Sequence, residues 1–489
     1  MPSGAVPQHE PQPGESAFAY WFRIADFTKK GLATAVTREA QRAGYPQVRP
    51  DGSRVRRWLG GETPRPPVPE LLAAVFSAKI GRRLTAADLG LAEADPDDLT
   101  RFRGPAELLA DLGHMTSAEL LNSTQPSPEP GPHAGQQARP AIPYEPERLL
   151  PALDTWAYAP SHTLPGADRG GSRLGAGDAA RIADYTRTFR LLDNRHGGGS
   201  TLHSATGQLA WATGLVRDGH YTDATGRLLF RELADLAGCV GWMSHDVAQW
   251  PAAIRYLTMA VHAARESGDR NLTAHLLQCL ARIWGYLGRP DLASDCIALA
   301  LYGTRNDAHP VLRAGLHALA ARFAALQGEA PEALRSVRHA QEIFHEHSVE
   351  DRPDYIAYLD HAELSSTLGE VLLFLSRTSG QPQHATSALE LLSTAAAERD
   401  CARARSSAFD AIAPARALLV VDDLEAACAT GLRAIRVGSH VESARVRRRF
   451  LDLAREARPH ESVSAVRDLR EQLLTAGQPR AAVPLPRRR

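Results

Sequence analysis

The segment DGSRVRRWLGG, residues 51–61, places Arg54, Arg56 and Arg57 within four positions, with Ser53 just ahead of them. A guanidinium can bind phosphate oxygens or pair bidentately with a guanine edge, so three on one short helix could both grip and read DNA. Ser53, or the backbone N–H groups at the start of such a helix, offers a further phosphate site. Arg49, Lys29 and Lys30 supply flanking charge suited to the sugar-phosphate backbone. The plainer reading of the same residues is a solvated face that keeps a small domain soluble.

A second concentration of polar chemistry is LDNRHGGG, where Asp193, Arg195 and His196 precede three glycines. Such a loop could present backbone N–H groups and side chains to an effector, whether a small molecule or a peptide. A purely structural loop is the competing reading. His345 and His347 flank Glu346, but residues two apart on a helix diverge, so no metal site is expected there. The chain has no nucleophile elbow, HExxH pair or phosphate-binding Gly-Lys loop, so neither enzymatic activity nor a cofactor is expected.

Helices must position these groups. GLATAVTREAQRAG carries Leu32, Val36 and Ala40 at four-residue intervals, and SAFAYWFRIADF reads as a helix before it. In SRVRRWLG, Val55, Trp58 and Leu59 fall on one side and the arginines around the other, with Asp51 or Ser53 as cap. Trp58 is therefore read as a core wedge, not a base-stacking ring. Gly60 and Gly61 end this helix, and PELLAAVFSAKI makes the next. From Asp178 onward, amphipathic helices alternate with short Gly, Pro or Asp turns. GRPDLASD, QGEAPEAL and DVAQWPAAI align to place Ala253, Ala293 and Ala333 at intervals of 40, an internal repeat. Ala388 and Ala427 continue it more weakly. A residue with one methyl lets paired helices approach while larger side chains fill the space between pairs.

The whole chain of 489 residues balances 56 Lys and Arg against 56 Asp and Glu. The balance is a cancellation: residues 18–83 carry net +8 and the remainder −8. A basic domain beside an acidic one is consistent with DNA binding by the first. Hydrophobic residues at 44% exclude a chain disordered throughout. No run approaches a membrane span and the N-terminus lacks an export signal, so a cytoplasmic, nucleoid-associated protein is expected. The five scattered cysteines are expected to be buried free thiols.

The expected fold class is all-α: an N-terminal helix-turn-helix domain, a flexible Pro/Gly-rich linker and a C-terminal helical-repeat solenoid. The boundaries read from composition are a disordered leader at 1–15, a helix-turn-helix domain at 16–92 and a helical extension at 93–122. A linker at 123–177, the repeat domain at 178–476 and a basic tail at 477–489 complete the chain.

GSRVRRWLGGETPRPP, followed by ELLAAVFSAKI and TAADLGL, resembles the helix-turn-helix domain of phage-repressor-like bacterial regulators. The resemblance places residues 53–60 on a recognition helix and 31–43 on its support, with the long YPQVRPDG connection as a departure. GRPDLA and GEAPEA resemble part of the tetratricopeptide-repeat pattern, although 40 residues exceeds that family's period. Together the two halves resemble large actinobacterial regulators, some controlling sporulation or antibiotic production. The resemblance implies a sequence-specific transcriptional regulator, a repressor that binds a palindromic operator in double-stranded DNA as a homodimer. Its repeats would serve dimerisation and effector or protein binding. The alternative from the residues is a helical-repeat interaction scaffold without specific DNA binding.

Overall fold

The computed structural model describes residues 15–42, 45–65, 67–80, 103–122, 146–162, 172–347, 351–379 and 381–478, with 84, 86, 88–91, 99 and 164 between them. Among these residues the protein is all-α, and it divides into two compact units. The first runs up to Phe102 together with Pro151–Trp156, and the second holds the rest.

The first unit contains α1 (Ala17–Ile24), α2 (Lys29–Arg42), α3 (Gly52–Leu59) and α4 (Val68–Ile80). The four-residue apolar series on α2 does what its spacing dictates: Leu32, Val36 and Ala40 are fully buried. They share a core with Phe18, Val55, Trp58, Leu72 and Phe76. The Phe76 ring receives Phe18 and Phe27 edge-on, at centroid separations of 5.7 and 5.4 Å. The connection before α3 is held by a turn in which the Val48 amide donates to the Tyr45 carbonyl at 3.0 Å.

The second unit opens with α5 (Pro105–Asn122). Next comes α6 (Pro146–Trp156), which the division between units cuts, then α7 (Ala176–His196) and α8 (Leu202–Asp218). Six helix pairs follow. They are α9 (Asp223–Asp246) with α10 (Trp250–Ser267), α11 (Arg270–Tyr286) with α12 (Pro290–Gly303), and α13 (Pro310–Leu326) with α14 (Ala330–His345). The last three are α15 (His361–Ser379) with α16 (Pro382–Glu398), α17 (Ala404–Val420) with α18 (Leu424–Gly438), and α19 (Ala444–Glu456) with α20 (Ser464–Ala476).

The 40-residue interval is the pair interval. Ala253, Ala293 and Ala333 each stand fourth in α10, α12 and α14 and are fully buried. The turn inside each of these pairs passes through a left-handed residue, Ala248, Gly288 or Gly328, at φ of 68°, 79° and 83°. The weaker continuation is also structural. A Cβ on Gly241 would meet the Ala253 carbonyl at 3.2 Å and Leu257, and one on Gly369 would meet the Ala388 carbonyl at 3.2 Å and Leu392. Ala388 therefore occupies the place of Ala253, and Ala427 stands fourth in α18.

Some expectations need adjustment. Helix α6, with Leu149, Leu150, Leu153 and Trp156 buried, falls within the stretch read as linker, because four apolar residues at helical spacing outweigh the surrounding prolines. Residues 123–145 of that stretch, residues 1–14 of the leader and residues 479–489 of the tail lie outside the described residues. Four cysteines are buried, but Cys401 is exposed in the turn before α17. No described helix is long and apolar enough to cross a membrane.

Candidate functional sites

In the first unit, α3 begins at Asp51, whose carboxylate accepts from the amides of Ser53 and Arg54 at 3.1 and 2.9 Å and from the Ser53 hydroxyl at 2.7 Å. The Ser53 hydroxyl, followed by the Arg54 amide, holds the Asp51 carboxyl below its usual range. Ser53 and the first amides of α3 are thus engaged by a carboxylate, which repels a phosphate from that end of the helix.

Val55 and Trp58 anchor α3 in the core, and this turns Arg54, Arg56 and Arg57 to solvent. Arg54 and Arg57 both approach Glu62, at 3.4 and 3.5 Å, whereas no described carboxylate pairs with Arg56. Lys29, Lys30 and Arg49 are exposed, and the Arg49 Nε donates to the Pro46 carbonyl at 3.1 Å. A shallow cleft between α2 and the start of α3 is lined by Lys30, Thr34, Arg38 and Gln41 opposite Asp51 and Gly52. Arg38 stands outside the arginine cluster in the sequence, although its spacing from Lys30 and Thr34 puts all three on one helix face.

In the second unit the first helix of every pair contributes to a common interior, and the second helices of the pairs face away. Helices α7, α9, α11, α13, α15, α17 and α19, with the turns at 354–358 and 399–403, surround a cavity of about 590 Å³. Its wall carries ten arginines against six Asp and Glu side chains. Arg405 is gripped by Asp193 through two contacts of 2.8 Å. Glu370 takes Arg322 and Arg449 at 2.5 and 2.6 Å; burial alone would raise its pKa, but these two cations hold it far below the ordinary carboxylate range. Arg399 meets Asp410 at 2.5 Å and Glu363 at 3.2 Å. Cys239 and Cys279 face the same space, and burial pushes both thiols up to about 12, so they are not thiolate nucleophiles.

The LDNRHGGG segment borders this interior. The Glu442 amide donates to the His196 carbonyl at 3.0 Å, and a Cβ on Gly197 (φ 89°) would lie 2.5 Å from the Glu442 carbonyl oxygen. The Gly198 amide and the Ser443 hydroxyl both donate to Asp246, at 3.1 and 2.8 Å. The glycines thus serve a close backbone approach between α7 and the segment before α19. Asp193 and Arg195 line the cavity, Asp193 within the buried ion pair and Arg195 exposed, while the His196 side chain is exposed.

Reading the repeat by its interval would have found more of the wall. Trp242, Arg282 and Arg322 are 40 apart and all line it, as do Cys239 and Cys279. Among the described residues no group of three or more His, Cys, Asp or Glu side chains could hold a metal ion.

Residues 18–92, which run from the second residue of α1 to beyond α4, match the family described as the SP15 N-terminal domain. No curated protein matches the chain.

Proposed function

We propose that this chain is a helical-repeat interaction protein whose working surface is the inner face of the repeat unit. The observation that carries this is the convergence of the first helices of all six pairs on one arginine-rich interior. Helical repeats bind through extended surfaces built by successive pairs, and a wall of guanidiniums is costly unless it meets a partner. Two parallel measurements test the reading: selection of random duplex DNA by the intact chain, and hydrogen exchange of the chain before and after exposure to cell extract. The scaffold reading expects no enriched sequence, and slowed exchange confined to α9, α11, α13, α15, α17 and α19. Unchanged exchange with enrichment of one sequence overturns it.

The second reading is a sequence-specific transcriptional regulator, and one observation favours it: Arg54, Arg56 and Arg57 stand exposed on a helix pinned by Val55 and Trp58. Arginines here would select guanine edges in the major groove, while Lys29, Lys30, Arg38 and Arg49 hold phosphates. The resemblance to phage-repressor-like regulators adds a homodimer on a palindromic operator, and that to large actinobacterial regulators adds tetratricopeptide-like repeats that take the effector, nucleoid association, and repression of sporulation or antibiotic genes. Under this reading the selection yields an inverted repeat, and mutating one half-site weakens binding.

A further inference from the structure

We infer that the interior of the repeat unit binds a small anionic molecule whose phosphate or carboxylate group is taken by Arg282 of α11 and Arg445 of α19. This rests on the reading of the inner face as a binding surface and names its ligand class. The cavity, at about 590 Å³, is of the size that small-ligand sites adopt.

The two arginines differ from the tightly paired, buried arginines of the wall. Arg405, Arg449, Arg322 and Arg399 each have a carboxylate at 3.2 Å or closer. The nearest carboxylate oxygen to Arg282 belongs to Glu363 at 3.7 Å, and that to Arg445 belongs to Asp246 at 3.6 Å; both are beyond a good charge-assisted hydrogen bond. The Arg282 Nε is buried with no hydrogen-bond partner. Asp246 is shared, since it also accepts from Ser443 and the Gly198 amide and neighbours Arg405. Glu363 is likewise shared with Arg399.

Aromatic rings hold Arg445 in place, with its guanidinium 4.8 Å from the centre of Trp242 and 5.0 Å from that of Phe409. The guanidinium plane is thereby fixed without using up its N–H donors. Burial, together with Arg405, Arg282 and Arg449, depresses Arg445 to about 10 despite Asp246, which marks a concentration of like charge. An oxyanion placed among these groups gives both guanidiniums a close anionic partner and relieves the repulsion in one step. The surrounding Trp242, Phe409 and Tyr358 offer apolar surface to the remainder of the molecule.

The test titrates the full chain with pyrophosphate, citrate and a hepta-glutamate peptide against sodium chloride of matched ionic strength, following heat release and melting temperature. Pyrophosphate or citrate is expected to raise Tm by roughly 2–4 °C near saturation, and which of them does so distinguishes a phosphate from a carboxylate ligand. Arg282→Gln and Arg445→Gln should each weaken binding at least tenfold, with an unbound Tm equal to or above that of the parent. Arg335→Gln, on the exposed face of α14, should bind as the parent does. Binding undiminished in both cavity variants, or no stabilisation beyond chloride by pyrophosphate and citrate, overturns the inference. Binding of the acidic peptide alone also overturns it but leaves the scaffold reading standing, and that reading falls only if the inner helices gain no protection from extract.

Discussion

His275 shows what burial does to one side chain. Its ring lies between α11 and the 354–358 turn, with Tyr355 and Tyr358 centroids at 5.3 and 6.0 Å, and its Nδ1 accepts from the Gln278 amide at 2.9 Å. Burial, then Arg190 and Arg282, pushes its pKa down to about 3. In the unfolded chain the ring titrates near 6.5. Between these values the unfolded state binds a proton that the folded state refuses, so the contribution is intact above pH 6.5 and lost as pH falls. The loss is about 1.4 kcal/mol per pH unit. In urea unfolding between pH 6 and 4, His275→Gln is expected to flatten the stability curve by about that slope; an unchanged slope would contradict the assignment. Arg56 is the corresponding test in the first unit, since no described carboxylate competes for it. If α3 reads DNA, Arg56→Gln should cost about 1–3 kcal/mol on the selected sequence and little on random DNA, measured by electrophoretic binding.

At the scale of the element, the turn inside a pair decides a local energy that the apolar pattern does not report. Gly288 and Gly328 adopt positive φ freely, but Ala248 takes φ 68° in the first pair. The left-handed conformation costs a residue with a Cβ about 1–2 kcal/mol. Ala248→Gly is therefore expected to stabilise the protein by roughly 1 kcal/mol, and Gly328→Ala to destabilise it by a similar amount. Chemical denaturation of the two variants checks this, and opposite signs are the signature. The Asp51 cap of α3 is the same kind of local device, engaging amides that an uncapped helix would leave open to an anion.

For the repeat unit as a whole, the decisive contacts join residues far apart in the chain. Asp193 and Arg405 are 212 positions apart and almost fully buried, with side-chain exposures of 6% and 7%. Removing one partner strands the other charge, so Asp193→Asn or Arg405→Met should each cost about 3–5 kcal/mol. The double variant Asp193→Leu with Arg405→Met should cost clearly less than the two single losses together, because neither member of the pair is left to strand the other. Additive losses in a double-mutant cycle would show that the pair does not couple α7 to α17.

What the chain determines by itself is local. Helix spacing placed Leu32, Val36, Val55 and Trp58 in a core, turned three arginines outward and marked the paired helices through alanines 40 apart, because each rests on a periodicity of a few residues or on a repeated unit. The same logic extended to Trp242, Arg282 and Arg322 would have marked three more inward positions. The cavity itself was not legible. Arg445 becomes a ligand group only because Trp242, Phe409 and Asp246, from two other helices, meet it, and Asp193 becomes a structural latch only because Arg405 arrives beside it. Those meetings depend on how pairs stack and close, and the tertiary fold decides them: a charge in the sequence carries no mark of the partner that packing will give or deny it.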